Sequence, residues 1–292
     1  MSLDVQQLID KQFPVVEQAY GPVDCIRYAL SLGLGMDPGD ERQLRYVYEQ
    51  CEGGLRALPA MASVLSYAGH WSRDPALGLD WKRILHGEQR VQLHRPVPTA
   101  AHVVARTRIT DIVDKGIDKG AVLYAQREIT DALTQQPLAT VTMVTFARGD
   151  GGRGGHGEGL PPLPEIPARA PDTVSDFATS PQAALLYRLA GDSNPLHAEP
   201  RVARQAGYER PILHGLCMFG LATWQVVESG CGGDPARVRS LAGRFTAPLY
   251  PGETLRTQVW HEGDTLHFRV SVPARGVTVF DRGIVRLDQS TS

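Results

Sequence analysis

A seam near the middle constrains this chain more than any other feature. Residues 149–159, Gly-Asp-Gly-Gly-Arg-Gly-Gly-His-Gly-Glu-Gly, hold seven glycines in eleven positions, and Pro161, Pro162, Pro164, Pro167 and Pro171 follow. Glycine raises the entropy cost of ordering, and clustered proline cannot join a sheet interior. The 292 residues therefore divide into 1–148 and 176–292, with a connector over 149–175. A phosphate-binding loop fits the glycines poorly. It would need a helix directly after them, where the prolines stand, and the Walker lysine is missing.

The two stretches follow one plan, helices first and strands after. In the first, Val23–Leu32 and Ala57–Tyr67 read as helices; Arg90–Val97, His102–Asp111, Ala121–Thr130 and Leu138–Phe146 read as strands. In the second, Ser180 and Pro181 open a helix that Gly191 stops, and a short helix runs from Pro200 to Gly207. A longer helix starts near Gly215, with Leu216, Phe219, Thr223, Val226 and Val227 at helical spacing. Strands follow at about 237–247, 254–262, 265–272 and 277–287. Tyr28–Gly33 resembles Tyr187–Gly191, and Leu58–Met61 occupies the place of Leu213–Leu216. A helix followed by four strands, present twice, points to a duplicated unit and an α+β fold in which each helix packs on an antiparallel sheet.

Composition narrows the function. Thirty basic against thirty-two acidic side chains give a formal charge of −2, without the basic excess of a nucleic-acid binder. No apolar run approaches a membrane span, and the first residues have no basic-then-apolar secretory pattern. Cys25, Cys51, Cys217 and Cys231 are scattered without Cys-x-x-Cys spacing, so no zinc site and no disulfide framework is expected. We read them as free thiols of a cytoplasmic protein.

The chemistry concentrates in Tyr187-Arg-Leu-Ala-Gly-Asp-Ser-Asn-Pro-Leu-His197, followed by Pro211-Ile-Leu-His-Gly215. Alone, Asp-Ser-Asn-Pro is an ordinary turn, and a single histidine is more often a surface or satisfied core residue. Together, Asp192 and His197 bracket a rigid Asn-Pro turn and can converge as an acid/base pair. Gly215, opening a long helix, offers a backbone N–H at the positive end of the helix dipole, with no Cβ in the way. Addition of water across a conjugated thioester needs this combination, the N–H holding the enolate oxygen while the pair handles hydroxide and proton.

The string from Tyr187 to His197, continued by His214-Gly215 and by Arg244-Phe-Thr-Ala-Pro-Leu-Tyr-Pro-Gly-Glu-Thr-Leu255, resembles the signature of the hydratase 2 (MaoC-like) family. These are hotdog-fold (R)-specific enoyl-CoA hydratases. The resemblance covers most of the chain and implies a double hotdog, two tandem helix-wrapped antiparallel sheets forming a pseudo-dimer. It implies that Asp192 and His197 are the catalytic pair, that Asn194 supports them and the reacting water, and that the Gly215 N–H is the oxyanion hole. The implied reaction is reversible syn addition of water to 2-trans-enoyl-CoA thioesters of medium, long or bulky acyl groups. It needs no cofactor and no metal. The implied assembly is a homodimer, with no nucleic-acid or membrane partner. A coupled pair titrates together, so neither Asp192 nor His197 is assigned as the base.

The first half lacks Asp-x-Asn-Pro-x-His, and Pro59-Ala60 stand where His214-Gly215 would be. It is expected to make no chemical motif of its own and to accommodate the acyl chain. His70, His86, His94, His102, His156, His261 and His267 show no metal-ligand spacing and read as surface or hydrogen-bonded residues. Arg106, Arg108, Arg127 and Arg244 are open as contacts for the CoA phosphates or as plain surface residues. Two rival functions stand beside the hydratase: a dehydratase of carrier-protein-bound or short branched acyl thioesters, and a non-catalytic acyl-CoA-binding protein.

Overall fold

The computed structural model describes residues 4–288. Ten strands form one antiparallel sheet: β1 (Val16–Tyr20), β2 (Ile84–Leu93), β3 (Ala101–Asp114), β4 (Ala121–Asp131), β5 (Pro137–Ala147), β6 (Thr173–Ala178), β7 (Val238–Phe245), β8 (Thr254–Glu262), β9 (Thr265–Val272) and β10 (Val277–Leu287). Their order across the sheet is β1-β3-β4-β5-β2-β7-β10-β9-β8-β6. Read outward from the centre, the second half repeats the first: β2, β5, β4, β3, β1 on one side, and β7, β10, β9, β8, β6 on the other. This is the α+β double-hotdog plan, with the two sheets continuous through β2 and β7. At the junction Glu88 faces Arg244 and Gln92 faces Ser240.

The helices are α1 (Val5–Ile9), α2 (Pro22–Leu32), α3 (Glu41–Val47), α4 (Ala183–Tyr187), α5 (Pro200–Gln205) and α6 (Gly215–Gly230). From Cys217 to Val227 every residue of α6 is buried, as expected of a helix that is apolar all round. It runs against α2, and Gly220 permits the approach: a Cβ there would lie 2.7 Å from the Tyr28 hydroxyl and 2.9 Å from Leu32. Tyr28 and Leu32 of one half and Phe219 and Phe280 of the other belong to one continuous core.

Strands β7 to β10 end within two residues of the positions read from sequence, whereas β1, β6, α1 and α3 have no counterpart in that reading, so each half has five strands where four were expected. Two expected elements of the first half take a different form. The helix expected over Ala57–Tyr67 is a five-residue 3-10 helix, Pro59–Ser63. The Arg127 guanidinium, reaching in from β4, donates to the carbonyls of Ser63 (2.6 Å) and Ala62 (3.4 Å). Those acceptors are the ones a continuing helix would need. Ser66 then turns to φ +50°, and its N–H donates to Gln18 instead. The strand expected over Arg90–Val97 starts earlier, at Ile84, because a bulge between His86 and Glu88 hides its alternation.

The glycine-rich tract is stitched down along β3. The Asp114 carboxylate accepts from the N–H groups of Gly116, Gly152 and Gly154, each at 2.8 Å. His156 bridges to Ile112, and Gly159 N–H donates to Asp111. Strand β6 begins at Thr173, within the 149–175 span.

Candidate active site

The turn after α4 carries the acidic residue. Gly191 takes φ +116°, a left-handed conformation that lets the chain leave the helix sharply. Asn194 caps the short 3-10 turn Pro195–His197, its side-chain oxygen accepting from Leu196 N–H at 3.2 Å. That turn brings His197 back toward Asp192. His197 Nδ1 lies 2.8 Å from the Ile212 carbonyl. A carbonyl only accepts, so Nδ1 carries the proton and Nε2 keeps its lone pair.

His214, the residue before α6, completes the cluster. Its ring stacks on His197, centroids 3.7 Å apart at 27°, and its Nε2 lies 3.2 Å from the Asp192 main-chain carbonyl. Ligand atoms of Asp192, His197 and His214 all lie within 4.8 Å of one another, a grouping that also raises the question of a metal ion. Imidazole lone pairs lie in the ring plane, and those of two stacked rings run side by side. Zinc held at about 2.0–2.1 Å from both nitrogens requires them to converge. The arrangement therefore suits a small neutral guest such as water better than a shared ion.

Gly215 follows His214 directly and opens α6, where the first N–H groups have no intrahelical acceptor. A Cβ at this position would lie 2.9 Å from the Phe245 ring, so a side chain could enter only by displacing it. The four residues singled out by sequence, Asp192, Asn194, His197 and Gly215, thus sit on two adjoining segments linked by the stacked His197 and His214 rings.

Burial sets the charges. It favours the neutral form of His197, whose pKa falls below the ordinary histidine value despite the Ile212 hydrogen bond and the nearby Asp192. The same cause, with the field of His197, pushes His214 down to about 3. For Asp192 burial works upward, but hydrogen bonds from His70 and the Asn194 N–H, with the fields of His214 and His197, prevail and hold it well below the carboxylate range. At neutral pH the site presents a carboxylate beside neutral imidazoles.

Sequence reasoning missed the groups that come from the first half. His70 Nε2 lies 3.3 Å from Asp192 Oδ1, and Arg73 Nη2 donates to Asn194 Oδ1 at 2.9 Å. His86, on β2, packs its ring 4.7 Å from that of Phe245. No local pattern marks any of these, since each becomes relevant only when the halves meet. Of the arginines left open, Arg244, Arg127 and Arg108 have partners within the protein. Arg244 and Arg90 clamp the buried Glu88, Arg127 caps the Pro59–Ser63 turn, Arg108 pairs with Glu128, and Arg106 is exposed on the outer face. Among the described residues, no helix is long and apolar enough to cross a membrane.

Family profiles match both halves: "MFE-2 hydratase 2 N-terminal domain" over residues 19–149 and "MaoC like domain" over 163–281. The chain is 34% identical over 297 residues to a probable enoyl-CoA hydratase 2 of Dictyostelium discoideum, covering 99% of this chain and 98% of that one. It is also 34% identical to the peroxisomal enoyl-CoA hydratase 2 of Arabidopsis thaliana, over 93% and 92% of the two chains. The crystal structure of a MaoC-like dehydratase from Phytophthora capsici superposes with a TM-score of 0.86 at 33% identity, covering 99% of this chain and all of the other.

Proposed function

The chain belongs to the MaoC-like hydratase 2 family, and on that premise we propose that it is an (R)-specific 2-trans-enoyl-CoA hydratase, a hydro-lyase that works in both directions. The observation that carries the reading is the meeting of Asp192, His197 and the N-terminus of α6. A water held between the Asp192 carboxylate and His197 Nε2 gives its proton to this pair and its hydroxyl to C3 of the enoyl thioester, on the face from which the pair then returns that proton to C2. Negative charge builds on the thioester oxygen during this addition. The Gly215 N–H, helped by the helix dipole, is the group suited to stabilise it. Collapse of the enolate with the proton gives the (3R)-hydroxyacyl-CoA, and microscopic reversal gives dehydration. Asn194 supports the pair and the water.

The same reading gives the first half the acyl chain. Its 3-10 turn leaves α6 as the one long helix across the sheet, which favours medium, long or bulky acyl groups over short ones. It also takes the enzyme to be a homodimer, which light scattering would test. Cys25, Cys217 and Cys231 are buried free thiols and Cys51 is partly exposed; they suit a reducing compartment, which we take to be the cytoplasm. Mixing the protein with 2-trans-enoyl-CoA of increasing length, while following the ultraviolet band of the conjugated thioester, tests the function. Loss of the band with formation of the 3R product is expected. Binding without loss of the band would instead identify a non-catalytic acyl-CoA-binding protein.

A further inference from the structure

The first half contributes more than a surface for the acyl tail. We propose that its Tyr67–Arg73 segment is a positioning device, in which His70 and Arg73 occupy the outward acceptors of Asp192 and Asn194 and so commit Asp192 Oδ2 and the Asn194 amide NH2 to the reacting water. The inference rests on the hydratase reading and adds two residues to it.

Hydrogen-bond capacity assigns each of these atoms its role. A carboxylate oxygen offers about two lone-pair sites, and so does a carboxamide oxygen. Asp192 Oδ1 already accepts from the Asn194 N–H at 3.0 Å and lies 3.3 Å from His70 Nε2. With both sites taken, Oδ2 is left to face the guest. Asn194 Oδ1 likewise accepts from the Leu196 N–H at 3.2 Å and from Arg73 Nη2 at 2.9 Å. Its amide NH2 remains as the free donor. His197, with Nδ1 on the Ile212 carbonyl, presents Nε2. One acceptor oxygen, one amide donor and one imidazole nitrogen are thereby fixed in role before any substrate enters, which is the preorganisation a water-addition site needs.

The segment is built to hold those contacts. Between His70 and Arg73, Trp71 is buried in the first half's own apolar cluster, with its ring edge-on to Phe13 at 5.8 Å. The Arg73 guanidinium stacks over Trp81 at 5.1 Å, and the His70 ring meets Tyr67 at 6.1 Å. Trp71 therefore works as a root in one half, from which two polar side chains extend to the other half's catalytic turn. The titratable and charged groups around Asp192 among the described residues are Tyr67, His70 and Arg73 from this segment, His86 from β2, and Tyr187, His197 and His214 from the second half.

The test compares H70A with H70Q and R73M with R73K, measuring kcat and KM for hydration of one enoyl-CoA. Glutamine keeps an N–H donor and lysine keeps a charged donor. H70A and R73M are expected to lower kcat by about 10- to 100-fold, the range seen when supporting hydrogen bonds to active groups are removed, with KM changed by less than about threefold. H70Q and R73K should recover a large part of kcat. A wild-type kcat in folded H70A and R73M would overturn the inference, as would equal losses in the alanine and glutamine variants or a loss confined to KM. If H70A does not fold, H70Q and the Arg73 pair decide. The unsubstituted protein separates the two levels, because its failure to hydrate any enoyl-CoA would overturn the hydratase reading. In that event the His70 ring 15N resonances, recorded without substrate, still decide: D192N should shift them, and unchanged resonances would overturn the contact.

Discussion

The two halves share a strand order and differ in what lies across it. In the second, sixteen residues of α6 cover the sheet and deliver His214 and Gly215 to the site. In the first, the equivalent place holds five residues of 3-10 helix, closed by the buried guanidinium of Arg127. That guanidinium has no carboxylate partner among the described residues, and burial lowers its pKa to about 10. The difference shows how a duplicated unit can divide labour without changing its sheet. One copy keeps the helix N-terminus and the Asp-Asn-His turn. The other gives up the long helix, and its loop is free to reach across to its neighbour's turn.

The sharpest way to break this comparison is to remove chemistry from the half that carries the motif. D192N and H197A are each expected to lower kcat by about 10²- to 10⁴-fold, the scale of general acid/base catalysis, or roughly 3–5 kcal/mol of transition-state stabilisation. Thermal unfolding should confirm that the variants fold. Near-normal turnover in either folded variant would remove the distinction between a reacting half and a supporting half.

The sequence made one side of this contrast legible and concealed the other. Asp192, Asn194, His197 and Gly215 lie within 24 residues of one another in the chain, and turn chemistry with a helix start is enough to bring them together. Strand β8 alternates over most of its length, and β9 and β10 are legible as apolar runs although bulges interrupt the alternation of β10. His70 and Arg73 are not. They lie more than 100 residues from the side chains they touch, as the separation of 121 between Arg73 and Asn194 shows. The short helix was misread for the same reason. Residues 57–67 have helical composition, and the group that ends the helix, Arg127, comes from a strand 64 residues further on. Local propensity yields when a distant donor takes the carbonyls that the helix would have used.

A smaller effect is expected at the junction between the halves. Glu88 of β2 is buried, and its two oxygens are divided between the halves. Oε2 accepts from Arg90 at 2.6 and 3.1 Å, and Oε1 from Arg244 of β7 at 2.7 and 3.0 Å. Replacing it with alanine leaves two guanidinium groups facing each other over the β2–β7 ladder. Breaking one partner of a buried ion pair costs about 3–5 kcal/mol, and the partial exposure of Arg244 places this case near the lower end, about 3 kcal/mol. E88A should show that loss in denaturant unfolding at neutral pH, whereas E88Q should lose less. If E88A is as stable as wild type, the halves are held by the β2–β7 ladder and the apolar core without this pair.

The smallest of the three effects concerns pH and the buried histidines. His214 is buried and neutral, with its pKa near 3, against about 6.5 for a histidine in an unfolded chain. Between those values the unfolded chain binds a proton that the folded chain refuses, so stability is lost as pH falls below about 6.5. By pH 5 this one group accounts for about 2 kcal/mol, from 1.4 kcal/mol for each pH unit crossed. His197, also lowered by burial, acts in the same direction. Asp192 acts in the same direction but at lower pH, because its depressed pKa contributes stability that begins to be lost only as pH falls through the range of an unfolded carboxyl. In the first half, His94 and His102 are exposed or paired at the surface, but burial also lowers His86 to about 4, and it acts in the same direction as His214. The unfolding free energy should therefore fall between pH 7 and pH 5, and H214Q should flatten that slope. An identical slope in H214Q and wild type would show that the acid sensitivity arises outside the stacked pair.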